Sequence, residues 1–294
     1  MTDAFALTGV SKRYDDFALQ DITLRMPEGE VMGLVGVNGA GKTTLLRLLS
    51  GLARADAGTL QVLGHEMPAQ QVAVKRQLGL ASEDMRLYAS QTLRWHMDFI
   101  RAIYPGWDET YATELLRRFD LRPQQAVGGF SHGQRVKALL LLNFARRPRL
   151  LLLDEPTTGL DPVARDEVLA AIADILRDEA RSVLFSSHNT RDIEQLADSI
   201  SFVHQGRLLA SKDKESFLED WRRIVCLGPW PGDESPWPEI AATRQDGSLL
   251  ELKVRRYSDA LLARLQDRGL EVRSSESMSL EDIFVTTVRA GAVA

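Results

Sequence analysis

The feature that most limits what this chain can become lies between Gly36 and Thr43, where Gly-Val-Asn-Gly-Ala-Gly-Lys-Thr joins an apolar run, Val31 to Val35, to a segment of helically spaced leucines. Gly36, Gly39 and Gly41 let the backbone turn tightly and bring its N–H groups near an oxyanion, and the helix that follows adds its positive dipole end. Lys42 can reach the terminal phosphates of a nucleotide, and the Thr43 hydroxyl can take one corner of a Mg²⁺ shell. Strand, glycine-rich loop and helix in this order predict an α/β fold around a phosphate cradle.

The bulk of the chain agrees with a folded, two-part protein. Its 294 residues, 44% hydrophobic, suggest one large or two modest domains with a buried core. A net charge of -5 argues against general phosphate attraction to nucleic acid, and no nucleic-acid partner is expected. The basic cluster Arg146, Arg147 and Arg149 reads as a solvated turn between a helix and a buried strand. The single cysteine, Cys226, excludes an internal disulfide and fits a reducing compartment. Met-Thr-Asp-Ala-Phe at the start is not the pattern of a secretory leader. The most apolar stretches, Ala138 to Leu142 and Leu150 to Leu153, are far shorter than the roughly 20 residues of a membrane-spanning helix. If the protein serves a membrane, another chain supplies the pore.

Short β-like runs, Phe5 to Val10 and Ala18 to Met26, precede the strand Val31 to Val35. A helix is predicted over Thr43 to Leu52, with Gly51 near its end. About Arg86 to Arg147 the pattern is mostly helical, broken at Tyr104-Pro105-Gly106 and around Val127-Gly128-Gly129, which reads as an inserted helical lobe. Leu150 to Leu153 and Val183 to Ser186 read as buried strands flanking a helix, Pro162 to Asp178. From about Lys212 the composition changes. A loop, Gly228 to Pro238, leads to a strand, Ser248 to Val254, a helix, Ser258 to Arg268, and an amphipathic segment, Leu280 to Val288. Trp221, Trp230 and Trp237 there form either a ligand surface or a packed satellite core.

The chemistry gathers in three further places. Leu150 to Leu153 ends in Asp154-Glu155, which places one carboxylate beside Mg²⁺ and the next where it can take a proton from an attacking water. Phe130-Ser131-His132-Gly133-Gln134 follows a glycine break, with Ser131 and Gln134 spaced as a helix capping box. Ser186-Ser187-His188 closes a buried strand.

Together these motifs resemble the ATP-binding cassette family over roughly residues 3 to 210, and the rest is implied by that resemblance. The fold is a P-loop NTPase cassette, a RecA-like core with an antiparallel β subdomain and an inserted helical subdomain at about 86–147. It occupies 1–211, and a small α/β appendage fills 212–294. The family signature is matched by Ser131, Gly133 and Gln134, while Phe130 replaces a leucine and His132 a glycine. ATP is held by Gly36, Asn38, Gly39, Ala40, Gly41, Lys42, Thr43 and Thr44, with Tyr14 stacking on adenine. Ser131, Gly133 and Gln134 meet the ATP of a facing subunit, and Asp161 in the Pro156-Thr157-Thr158-Gly159-Leu160-Asp161 linker lies near that dimer partner's phosphate loop. Thr43, Asp154 and Glu83 hold Mg²⁺, and Glu155, His188, Lys42 and Glu83 serve hydrolysis. Glu83 stands where the family usually has glutamine, and its charge is expected to slow turnover without preventing it. If the position of His132 needs a positive φ, the ring there carries a conformational cost.

Glu83, Tyr104-Pro105-Gly106-Trp107 and Leu280-Glu281-Asp282-Ile283-Phe284 resemble exporter subunits whose membrane parts are separate chains. The resemblance therefore implies a Mg²⁺-dependent ATPase driving export, peripheral on the cytoplasmic face of the membrane, with permease subunits and a second ATP-binding subunit, identical or not, as partners. Tyr88, Trp95, Phe99, Tyr104 and Trp107 either face that permease or form the lobe's own core. A soluble cassette ATPase acting on ribosomes or nucleic acid, and a weakly hydrolysing regulatory module, are the alternatives.

Overall fold

The computed structural model describes residues 2–82, 84–176, 181–230 and 237–291. It divides into two compact units, Met1–Leu208 and Leu209–Ala294. The first holds, in chain order, β1 (Asp3–Arg13), β2 (Ala18–Pro27), β3 (Val31–Val35), α1 (Lys42–Leu49), β4 (Ala57–Val62), β5 (His65–Glu66), α2 (Gln71–Gln77) and β6 (Leu78–Ser82). It continues with α3 (Leu93–Ile103), α4 (Glu109–Arg118), α5 (His132–Phe144), β7 (Leu150–Asp154), α6 (Pro162–Leu176), β8 (Ser182–Ser187), α7 (Thr190–Leu196) and β9 (Ser199–His204). The division falls inside β10 (Arg207–Asp213). After it come α8 (Lys214–Asp220), β11 (Arg222–Leu227), β12 (Ile240–Asp246), β13 (Leu249–Val254), α9 (Asp259–Asp267), β14 (Glu271–Ser277) and α10 (Leu280–Gly291).

The central sheet has the order β10-β9-β3-β8-β7-β6, and the pairs from β9 to β6 are parallel. Every residue of β3, β7 and β8 is buried, as expected of parallel strands covered on both faces. The register sets Ser82 beside Asp154, Asp154 beside Ser186, and Val35 beside Ser187. Four segments distant in sequence thus end level along one edge. A second sheet, β2-β1-β4-β5, is antiparallel. Its Val10, Leu24 and Leu60 share one core with Leu45 and Leu48 of α1 and with Leu34, Leu152 and Leu184 of the central sheet. Each such fully buried leucine stabilises the fold by about 1.5–3 kcal/mol.

Helix α1 stops before Leu52. Gly51 turns left-handed with φ 69°, its N–H bonds to Leu48 O at 3.1 Å, and Leu52 N–H reaches back to Arg47 O at 2.8 Å. That pair of bonds satisfies the last carbonyls and ends the helix, and Leu52 is 63% exposed.

Helices α3, α4 and α5 leave the core after β6 and return to it at β7. Thr92, Asp108 and Ser131 cap them with side-chain oxygens, and Ser131 and Gln134 complete both halves of a capping box. The arginine cluster lies in a turn between α5 and buried β7, with Arg147 and Arg149 exposed as expected, but Arg146 is drawn out of solvent. Arg146 is half-buried; its guanidinium lies 3.4 Å from the Tyr104 ring centre and donates to Lys75 O and Leu78 O at 3.2 and 2.9 Å. Arg147 pairs with Asp108 at 2.9 Å and Arg149 with Glu28 at 2.6 Å. Arg146 thus ties the turn after α5 to α2 and β6, and Arg147 ties it to the start of α4.

The second unit is an antiparallel sheet, β12-β13-β11-β14. Ile224, Cys226, Leu250, Leu252 and Val254 pack on Leu261 and Leu265 of α9. Trp230 and Trp237, ring centres 5.6 Å apart, lie partly buried against that core, and Trp221 is buried. Part of the predicted Gly228 to Pro238 loop lies outside the described residues. Among the described residues no helix is long and apolar enough to cross a membrane.

Candidate active site

The parallel strands deliver their following residues to one edge, where ligands of such sheets collect. Beyond β3, Gly36 to Gly41 wrap the start of α1. Gly41 caps that helix at φ 114°, where a Cβ would come within 2.7 Å of Leu19 and 2.8 Å of Phe17. Gly36 lies so close to the next strand that a Cβ would meet Val203 O at 2.5 Å. The loop encloses a cavity of about 610 Å³ lined by Asn38, Gly39, Ala40, Gly41, Lys42, Thr43, Thr44, Asp154 and Glu155, with Phe17 and Ser82 at its sides.

Lys42 is buried, donating to Gly36 O at 2.6 Å and ion-paired with Glu155 Oε1 at 3.1 Å. Thr43 Oγ1 donates to Asp154 Oδ2 at 2.8 Å, and Ser186 Oγ donates to Asp154 Oδ1 at 2.7 Å. Ser186 Oγ also accepts the Glu155 N–H at 3.0 Å, so one hydroxyl locks both acids in place. Ser82 Oγ lies 3.4 Å from Asp154 Oδ2. Hydroxyl and carboxylate oxygens converging at Asp154 make a hard donor set, which fits Mg²⁺ completed by nucleotide phosphates.

Glu155 has a left-handed backbone, φ 52°. Its Oε2 is met by His188 Nδ1 at 2.8 Å and by the Thr158 hydroxyl at 2.9 Å. Burial pushes the Glu155 carboxyl up, but Lys42, Thr158 and His188 together outweigh it and hold the group below the usual carboxylate range. Glu155 is therefore an ionised carboxylate, ion-paired with Lys42 at Oε1 and hydrogen-bonded at Oε2.

Other predicted residues stand apart from the cradle. Tyr14, 41% exposed, is outside the cavity wall and lies 5.5 Å from the Lys12 ammonium, measured to the ring centre. Ser131, Gly133 and Gln134 sit at the start of α5, and Gln134 Oε1 accepts the Ser131 N–H at 3.0 Å. Asp161 accepts the N–H groups of Val163 and Ala164 at 3.0 Å, opening α6. Glu83 lies outside the described residues. His132 is helical and absent from the positive-φ residues, so its ring carries no conformational cost. Sequence reasoning gave Ser186, Ser82, Thr158 and Asp192 no part. Asp192, buried, accepts from Thr157 Oγ1 at 2.6 Å and from Arg165 Nε at 2.8 Å, tying the linker turn to the helix after His188.

A parallel sheet whose central strand feeds a phosphate loop, with two acids ending a nearby strand, defines a P-loop nucleoside-triphosphatase. Comparison with known proteins narrows this. The ABC transporter family model matches residues 19–158. The ABC transporter ATP-binding protein YtrB of Bacillus subtilis is 36% identical over 219 residues, 74% of this chain and 75% of that protein. The daunorubicin resistance ATP-binding protein DrrA3 of Streptomyces coeruleorubidus is 39% identical, over 70% of this chain and 67% of that one. A solved ATP-binding subunit of an ABC transporter superposes with a TM-score of 0.67 at 27% identity, over 74% of this chain and 92% of its own. The chain belongs to the ATP-binding subunits of ABC transporters.

Proposed function

We propose that this protein is a Mg²⁺-dependent ATPase subunit that powers export through permease subunits carried on separate chains at the membrane. The convergence of Lys42, Thr43, Asp154 and Glu155 on one phosphate cavity, with His188 held against Glu155, supports this reading most. The backbone of Gly36 to Gly41 and the dipole of α1 bind the phosphates, and Lys42 exchanges Glu155 for the terminal ones. Tyr14 stacks on the adenine. Thr43 and Asp154, with Glu83, would hold Mg²⁺, which would supply neutralisation of phosphate charge. Glu155 takes a proton from water as that water attacks the γ-phosphorus; the bond to the β-phosphate oxygen breaks, leaving ADP and phosphate. His188 keeps Glu155 Oε2 in place.

Two cassettes face head to tail, so that Ser131, Gly133 and Gln134 of one meet the ATP held by the other, with Asp161 near the partner's phosphate loop. Hydrolysis removes the phosphate that joins them, and the opening drives the permease. An exposed strip on the helical lobe suits that partner: the rings of Trp95 and Phe99 stack with centres 5.3 Å apart, and Ile103 follows one helical turn on. Residues 212–294 form an accessory domain. Export as the direction takes support from the daunorubicin-resistance relative.

The test is Glu155→Gln. ATP binding persists while turnover falls at least about tenfold, since a positioned general base supplies about 10²–10⁴. Tagged Glu155→Gln protein taken from solubilised membranes in Mg²⁺-ATP retains a very hydrophobic, multi-helix subunit. Wild-type turnover in the variant, or recovery without a membrane subunit, overturns the reading.

A further inference from the structure

His132 stands where the family signature has its first glycine, and its ring reaches the turn that follows the catalytic strand. His132 Nε2 lies 3.0 Å from the carbonyl oxygen of Thr158. A carbonyl only accepts, so Nε2 carries the proton and donates it. Ring and turn are closely fitted, since a Cβ on Gly159 would come within 3.1 Å of the same nitrogen. Thr158 in turn donates its hydroxyl to Glu155 Oε2 at 2.9 Å, the oxygen that His188 also holds. Two residues therefore bridge the signature segment and the general base within one chain. A glycine at this position has no atom with which to make the link.

We propose that His132 is a positioning residue that acts on Glu155 through Thr158, and so ties the base of one ATP site to the segment, Ser131 to Gly133, that meets the other. This rests on the facing-cassette arrangement. His132 shares the first turn of α5 with Ser131, so a shift of that turn as Ser131 engages a phosphate moves the ring on the Thr158 carbonyl. Hydrolysis at one site then responds to occupancy of the other.

Two variants separate this link from simple packing. His132→Leu keeps bulk without a donor, and His132→Gln carries an amide N–H to about the same reach. In full-length protein, His132→Leu lowers kcat about two- to tenfold, the range carried by one net hydrogen bond. Its KM for ATP is unchanged, and its Hill coefficient for ATP falls toward unity. His132→Gln restores both. In nucleotide-free protein labelled at histidine nitrogen, NMR shows His132 protonated on Nε2. A His132→Leu protein with wild-type kcat and cooperativity, a defect that glutamine does not repair, or a ring protonated only on Nδ1 overturns the proposal. Failure of the arrangement beneath it looks different: wild-type hydrolysis without cooperativity, or full turnover in Glu155→Gln, removes both.

Discussion

Glu155 competes with terminal phosphates for one cation, because its Oε1 is ion-paired with Lys42. The pair sets a sign for pH dependence. A carboxyl held below its ordinary range contributes stability above that range, and loses it as pH falls through the lowered value. When phosphates draw Lys42 away, the largest lowering influence goes while burial stays, and the carboxyl rises. The acid limb of kcat, which reports the bound state, is therefore expected at higher pH than the acid limb of kcat/KM, which reports the free enzyme. Paired pH profiles of the two constants measure it; coincident limbs refute the Lys42 exchange. The part played by Ser186 was not legible in the sequence. Its hydroxyl locks Asp154 and Glu155, yet no local pattern marks it, since the contact depends on the parallel register of β7 against β8.

Elements were legible wherever local chemistry decides them. The strand Val31 to Val35, the phosphate loop and the Ser131–Gln134 capping box could all be read directly, because glycine spacing and cap geometry involve neighbours in sequence. The end of α1 was less so, since Gly51 and leucine periodicity point to different last residues. Within the arginine turn only Arg146 was misread, because its carbonyl partners, Lys75 and Leu78, lie about seventy residues away in the chain. That fastening carries a prediction. Arg146→Ala removes donors from two carbonyls and a cation from the Tyr104 face, and is expected to cost roughly 2–3 kcal/mol. Denaturant unfolding checks it, and a change under about 0.5 kcal/mol would mean the contacts hold nothing.

At the scale of the whole molecule, the phosphate-binding edge and the exposed aromatic strip belong to one unit, Met1–Leu208. Trp95 is 38% and Phe99 48% exposed, large rings that a chain acting alone has little reason to present. Replacing both by serine is expected to leave ATP affinity and basal hydrolysis within about twofold. Recovery of the permease should drop at least about tenfold, since central interface aromatics cost about 2 kcal/mol or more each. Quantifying the membrane subunit that co-purifies decides it, and equal recovery would move the docking face elsewhere. The splice of the helical lobe into the core gives that strip its significance. The chain departs at Ser82 and comes back through β7 to Asp154, and the two splice points are paired neighbours at the edge of the phosphate cavity. Force applied at Trp95 therefore has a covalent load path to Ser82 and Asp154, and the joint on which the lobe would swing is built into the rim of the phosphate cavity itself.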